Sequence, residues 1–195
     1  MFYNLIVNKR LNKLTLTALM AALCYVAFSF LQIKIPTPVG FTSFHLGNVF
    51  CVLAALLLDG VSGGLAGAIG MGIGDVLDPV YITVAPKTIL LKMLMGVSCG
   101  FFAHKVFKID DLDEKKKNVY AIISIALAML LNVFGETVLT YLYYSLILGN
   151  YDKALTYLTG ARFIMIFVNS ILTTIVTSVL YIAIKSRLGF LKNSK

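Results

Sequence analysis

Four long apolar segments constrain this chain more than any other feature of its sequence. They cover 14–33, 86–107, 119–148 and 160–184. A helix needs about 20 apolar residues to cross the hydrocarbon core of a bilayer, and each of these segments is long enough. Only 13% of the residues are charged, compared with about 25% in a soluble domain, and the mean hydropathy is +0.89. The sequence therefore predicts an integral membrane protein.

Two shorter apolar segments, 45–58 and 61–77, lie between the first and second long ones and are separated by Asp59 and Gly60. They form either two spans or one re-entrant hairpin, and both alternatives return the chain to the same side. We predict a single all-α domain over 1–195 with six transmembrane helices.

Between the first long segment and the first short one, Pro36 and Pro38 predict an extended loop, because proline does not continue a helix.

The distribution of basic residues predicts the orientation of the chain. Lysine and arginine concentrate near the start, around 105–117 and after 184. Basic loops stay on the cytoplasmic side, so both termini are predicted to be cytoplasmic. The net charge of +8 is then explained by topology and by contact with anionic membrane lipid, without a nucleic-acid partner. Cys24, Cys51 and Cys99 lie in apolar segments without metal-ligand spacing, so neither a metal nor a cofactor is expected.

Polar side chains inside apolar segments indicate a site, since each is costly in lipid unless it faces protein or a cavity. Glu136 lies midway along the fifth helix, and Asn132 and Thr140 are four residues to either side of it on the same face. Tyr143 and Tyr144 continue this stripe toward the outer end.

The fourth and sixth helices carry similar polar stripes. Thr88 and Lys92 are four residues apart on the fourth, with Lys87 beside them. On the sixth helix, four polar residues lie on one face by helical spacing, namely Arg162, Asn169, Thr173 and Thr177. Because the three stripes are strongest in the outer halves, we predict a polar pocket open to the outside. The alternative is a salt bridge of Glu136 with Lys92 or Arg162 that only holds the helices together, and the two interpretations are compatible.

The proline-containing loop, 34–48, is long for a connection between membrane helices. It carries His45 and Asn48 near the outer face, and a loop of this kind can cover a site. His45 is more typical of a helix start than of a ligand contact. The glycine-rich third segment is interpreted as close packing within the chain, since small residues allow helix backbones to approach in lipid.

Three stretches of the first half, at 14–28, 34–79 and 85–96, carry a family resemblance. They read LTLTALMAALCYVAF, KIPTPVGFTSFHLGNVFCVLAALLLDGVSGGLAGAIGMGIGDVLDP and APKTILLKMLMG. In order and spacing they resemble the substrate-binding S components of energy-coupling factor (ECF) vitamin transporters, nearest to the riboflavin and hydroxymethylpyrimidine branch. The resemblance implies six helices in a prokaryotic plasma membrane.

The resemblance also implies a function without catalysis. Such proteins capture a vitamin or its precursor outside the cell and dock on one transmembrane coupling protein with two ATPases. Ala18 and Ala22 match the family's alanine motif and would face the coupling protein. Asn48 and Lys87 depart from the family pattern. The residues predicted to bind the substrate are Glu136, Lys92, Asn132, Arg162, Asn169, Tyr143, Asn48, His45 and Lys87.

Two other functions compete with this one. A stand-alone carrier often shows two related halves, and none is visible here. A membrane enzyme would need a catalytic motif, and the chain has neither a nucleophile elbow nor His-Glu-x-x-His. Asp75 and Asp78 are interpreted as residues that end a helix.

Overall fold

The computed structural model describes residues 2–37, 40–156 and 160–193. Two strands and seven α-helices follow one another in the described part. They are α1 (Phe2–Ser29), β1 (Gln32–Thr37), β2 (Gly40–His45), α2 (Gly47–Leu57), α3 (Gly60–Leu77), α4 (Ala85–Gly100), α5 (Glu114–Leu142), α6 (Tyr151–Thr156) and α7 (Gly160–Asn193). Short π-helical turns, Phe101–Val106 and Tyr143–Ile147, extend α4 and α5.

The predicted proline-containing loop is a β-hairpin, so the all-α prediction is wrong for this segment. β1 and β2 are antiparallel and pair from Gln32 with His45 to Thr37 with Gly40. α1 ends at Ser29 rather than at 33, and Pro36 lies within β1. Proline is tolerated in an edge strand because its missing amide can face away from the ladder. The loop predicted for 149–159 contains the short helix α6.

Five helices in the described ranges are long and apolar enough to cross a membrane. They cover Lys9–Ser29, Gly60–Leu77, Ile82–Val106, Glu114–Ile147 and Arg162–Lys185. The second predicted segment, α2, has 11 residues, which span only about 16 Å. Nine of those 11 residues are buried, so α2 is surrounded by protein rather than by lipid. By length alone the structure therefore supports five of the six predicted spans.

Glycines bring α3 and α4 into close contact, as the sequence predicted. A Cβ atom placed on Gly96 would collide with the backbone of Gly64, and one on Gly100 would collide with Gly60. On the other side of α3, a Cβ on Gly70 would collide with the backbone of α1 at Ala21. Small residues at such crossings increase van der Waals contact, which drives helix association in lipid.

Ion pairs identify which ends of the helices lie together. Lys13, near the start of the membrane-spanning part of α1 (Lys9–Ser29), pairs with Asp59. Asp59 follows α2 and caps α3 by accepting from the Ser62 amide at 2.9 Å. Lys34 on β1 pairs with Asp78 after α3, with 2.6 Å between Nζ and Oδ2. α1, α2 and α3 therefore all run between the same two ends of the bundle, and the hairpin lies at one of them.

Candidate functional site

A cavity of about 100 Å³ lies at the hairpin end of the bundle. The hairpin, the loop before α4 and six of the helices each contribute to its wall. Its lining residues are Phe28, Ser43, His45, Asn48, Asp75, Tyr81, Val84, Lys87, Thr88, Lys92, Asn132, Glu136, Arg162, Met165, Ile166 and Asn169. The three predicted polar stripes therefore meet, and eight of the nine predicted binding residues line one space.

An ion pair between α4 and α5 forms one wall of the cavity. The Lys87 ammonium donates hydrogen bonds to Glu136 Oε1 at 2.7 Å and to Thr140 Oγ1 at 3.0 Å. The Lys87 side chain is 5% exposed and that of Glu136 16%. Arg162 Nη2 on α7 lies 3.9 Å from the same Glu136 oxygen. The predicted salt bridge with Arg162 is thus present at long range, but Lys87 is the close partner that the sequence did not identify.

Lys92 lies one and a half turns after Lys87 and is 6% exposed. Its predicted salt bridge with Glu136 is not formed. Within the described ranges, its ammonium takes part in no hydrogen bond or ion pair, although its charge acts on His45, Asp75 and Glu136. Lys92 is therefore a buried cation that faces the cavity, and no described side chain pairs with it.

Several other buried polar atoms around the cavity have no hydrogen-bond partner in the described part of the chain. They are His45 Nδ1, Asn48 Oδ1, Asn132 Oδ1 and Asn169 Oδ1. Buried polar groups in folded proteins are nearly always paired, so such a concentration requires an explanation. A polar small molecule in the cavity would supply the missing partners.

His45 ends β2 and covers the cavity from the hairpin side. Its ring contacts that of Phe28 edge to face, with 4.7 Å between the centroids. Burial and then the nearby Lys92 charge lower the pKa of His45 to about 3, so the ring is uncharged at neutral pH. The helix-start role that the sequence favoured is not observed, because α2 begins two residues later.

Asp75 is a cavity residue that the sequence interpretation missed. α3 continues past it to Leu77, and its side chain is buried at 3% exposure beside Thr88. A signal was available, because Asp75 follows the buried Met71 by four residues and Ala68 by seven, which places the three on one helix face. Asp78 ends the helix as predicted.

Tyr143 is the one predicted binding residue that the structure does not bring to the cavity. It begins the π-helical turn after α5, and its hydroxyl donates a hydrogen bond to the Thr83 carbonyl at 2.7 Å. It lies in an apolar surface groove with Pro86 and Leu90. Ala18 and Ala22 are exposed on α1, away from the cavity.

The Lys34–Asp78 pair holds the hairpin to the end of α3, beside the cavity. Burial alone would raise the pKa of Asp78, but the hydrogen bond from Lys34, the Val80 amide and the Lys34 charge together lower it. The same hydrogen bond raises the pKa of Lys34. The Lys34 ammonium also lies 5.4 Å from the centroid of the Tyr81 ring. The Lys34–Asp78 pair thus holds the hairpin to α3, and Ser43 and His45 of the same hairpin line the cavity.

The cavity offers binding groups of both charges and several hydrogen-bonding amides. Across the part of the chain that the structure describes, no cluster of three or more His, Cys, Asp or Glu side chains is placed to hold a metal ion. The arrangement is suited to the capture of a small polar molecule.

The chain is similar to one known family of membrane proteins. Residues 8–186 match the model of the family described as ECF-type riboflavin transporter, S component. A solved structure of the S component of a bacterial ECF transporter has a TM-score of 0.58 and 20% sequence identity, and the match covers 94% of this chain and 99% of that one. At this identity the likeness establishes the fold alone. Comparison with curated proteins gives no match.

Proposed function

Because the chain belongs to the family of ECF-type riboflavin transporter S components, we propose that it captures a vitamin or vitamin precursor outside the cell for import. The observation that carries this proposal is the cavity under the hairpin, where buried polar atoms from β2, α2, α5 and α7 have no hydrogen-bond partner among the described residues. Affinity for a polar ligand follows when those atoms gain hydrogen bonds on binding. Transport itself would depend on a coupling protein and two ATPases.

We assign substrate contact to the residues that the structure brings together. They are His45, Asn48, Lys87, Lys92, Asn132, Glu136, Arg162 and Asn169, with Asp75 added. Tyr143 is left out because its hydroxyl is used by the Thr83 carbonyl. The whole chain, 1–195, acts as one domain in this proposal.

The proposal includes six crossings, with both termini in the cytoplasm and the cell membrane of a prokaryote as the location. α2 is short, but it starts below the hairpin at one end of the bundle and reaches Asp59, beside Lys13, at the other. Its backbone is enclosed by protein, which is the condition under which irregular structure is tolerated at membrane depth. Lys185 pairs with Glu114 at 2.5 Å, so the first lysine of the last basic cluster lies at the start of α5.

Reporter fusions test this topology. Green fluorescent protein reports a cytoplasmic fusion point, and alkaline phosphatase reports an external one. Green fluorescent protein fused after Lys117 or after Lys195 should fluoresce, and alkaline phosphatase fused at Lys153 should be active, because basic clusters are retained on the cytoplasmic side. An external signal at Lys117 would contradict the arrangement of the whole chain.

The function itself is tested by comparing capture with accumulation. Native mass spectrometry of the co-purified ligand first identifies the vitamin. The purified chain in proteoliposomes should bind this vitamin but should not accumulate it inside the vesicles. Adding the coupling protein, the two ATPases and ATP should produce accumulation. Accumulation by the chain alone would instead establish the alternative of a stand-alone carrier, and chemical conversion of the bound vitamin would establish an enzyme.

A further inference from the structure

The buried ammonium of Lys92 indicates the chemistry of the ligand. We infer that the captured molecule carries an anionic group, a carboxylate or a phosphate, and that this group pairs with Lys92. The inference rests on the proposed function and deepens it, since it assigns a charge to a ligand whose identity the family name alone does not fix for this chain.

Lys92 is a buried cation in a membrane-spanning helix. Lys92 lies on α4 within a span of 25 residues, Ile82–Val106, and is 6% exposed. A buried ammonium that has lost its hydration needs a compensating negative charge or hydrogen bonds. Intramembrane lysines therefore pair with another group or mark a substrate pathway. In the part of the chain that the structure describes, no side chain or carbonyl accepts from this ammonium.

The acidic residues of the cavity form no ion pair with Lys92 among the described residues. Glu136 lies within reach of the Lys92 charge, but its carboxylate is contacted by the Lys87 ammonium at 2.7 Å and by Arg162 at 3.9 Å. Asp75 is under the influence of both lysines, but neither forms an ion pair with it among the described residues. Among the described residues, three basic and two acidic side chains line the cavity. Of the three basic ones, Lys92 is the one whose charge remains available to a ligand.

The remaining wall indicates where the rest of the ligand lies. The amide oxygens of Asn48, Asn132 and Asn169 accept from no donor among the described residues, so the ligand should also present N–H or O–H groups. Phe28 and Met165 supply apolar contacts in the same cavity. These features are suited to a small polar compound with an anionic group at the Lys92 side. An uncharged flavin would offer Lys92 a carbonyl oxygen, which satisfies a hydrogen bond but not the charge.

Matched pairs of probes separate charge from shape. The purified chain is titrated with nicotinate and nicotinamide, pantothenate and pantothenol, biotin and biotinamide, pyridoxal phosphate and pyridoxal, and flavin mononucleotide and riboflavin. Thermal shift screens the panel and calorimetry measures affinity. In at least one pair we expect the anionic member to bind about tenfold or more tightly than its neutral partner, as is typical for a hydrogen bond to a charged group. The first three pairs report a carboxylate and the last two a phosphate.

Substitution of Lys92 assigns the preference to this residue. Lys92→Met should reduce the anion preference to about twofold or less, and Lys92→Gln serves as a second variant if Lys92→Met does not fold. Lys115→Met, at an exposed position in the first turn of α5, removes the same charge away from the cavity and should retain the preference.

Three results would overturn the inference. They are equal or tighter binding of the neutral members, an anion preference that persists in both Lys92 variants, and the absence of binding by every anionic compound. Binding of riboflavin without charge discrimination would refute the anionic ligand while leaving the capture function intact. Failure of the capture function is recognised separately, by accumulation without the ATPases.

Discussion

Replacing Glu136 with glutamine should lower the apparent melting temperature of the ligand-free protein by at least about 6 °C. The substitution leaves Lys87, 5% exposed, without its carboxylate and close to Arg162. Breaking a buried ion pair by removing one partner costs about 3–5 kcal/mol. For a chain of this size each kcal/mol corresponds to about 2–4 °C. The measurement is thermal unfolding in detergent, followed by fluorescence.

A second substitution in the same chain isolates the cause. Lys87→Met together with Glu136→Gln removes both charges and should restore most of the loss, because the double variant no longer buries a lysine that has lost its partner. Glu114→Gln is the control on the same helix. Its carboxylate pairs with Lys185 but is 78% exposed, and exposed pairs contribute only about 0–1 kcal/mol. A double variant no more stable than Glu136→Gln would show that the pair is not the source of the loss.

Placing tryptophan at Ala18 should abolish uptake while leaving ligand binding within about twofold of the original. Ala18 and Ala22 are exposed on one face of α1 and do not line the cavity. Their small side chains would let a helix of the coupling protein approach closely, and the indole ring would separate the two backbones. Uptake is measured in proteoliposomes with the complete module, and assembly by co-purification of the ATPases.

The control for this experiment lies on the same helix. Leu16 is 42% exposed and lies on the other side of the buried stripe that contains Thr17 and Ala21. Leu16→Trp places the same indole ring on that other side and should preserve assembly. Normal uptake by Ala18→Trp would remove the alanine face from the docking surface, and loss of ligand binding would show that the substitution had disturbed the fold instead.

The close packing of the glycine-rich segment and the membrane-spanning role of the apolar segments were predictable, because both depend on local chemistry. A run of about 20 apolar residues can only be stable across a bilayer as a helix. Spacing of three and four residues places polar side chains on a common face whatever the neighbouring helix is. For this reason the sequence alone indicated that Asn132, Glu136 and Asn169 share a polar interior, and the cavity contains all three.

The pairing of charges depended on tertiary structure. Lys87 and Lys92 are five residues apart, about 140° around a helix of 3.6 residues per turn, so the rotation of α4 against α5 decides which of them meets Glu136. The glycine contacts between α3 and α4 determine which face of α4 lies against α3, and the spacing of polar residues does not encode this packing. It places Lys87 against Glu136 at 2.7 Å. Lys92 consequently faces the cavity with its charge available to a ligand.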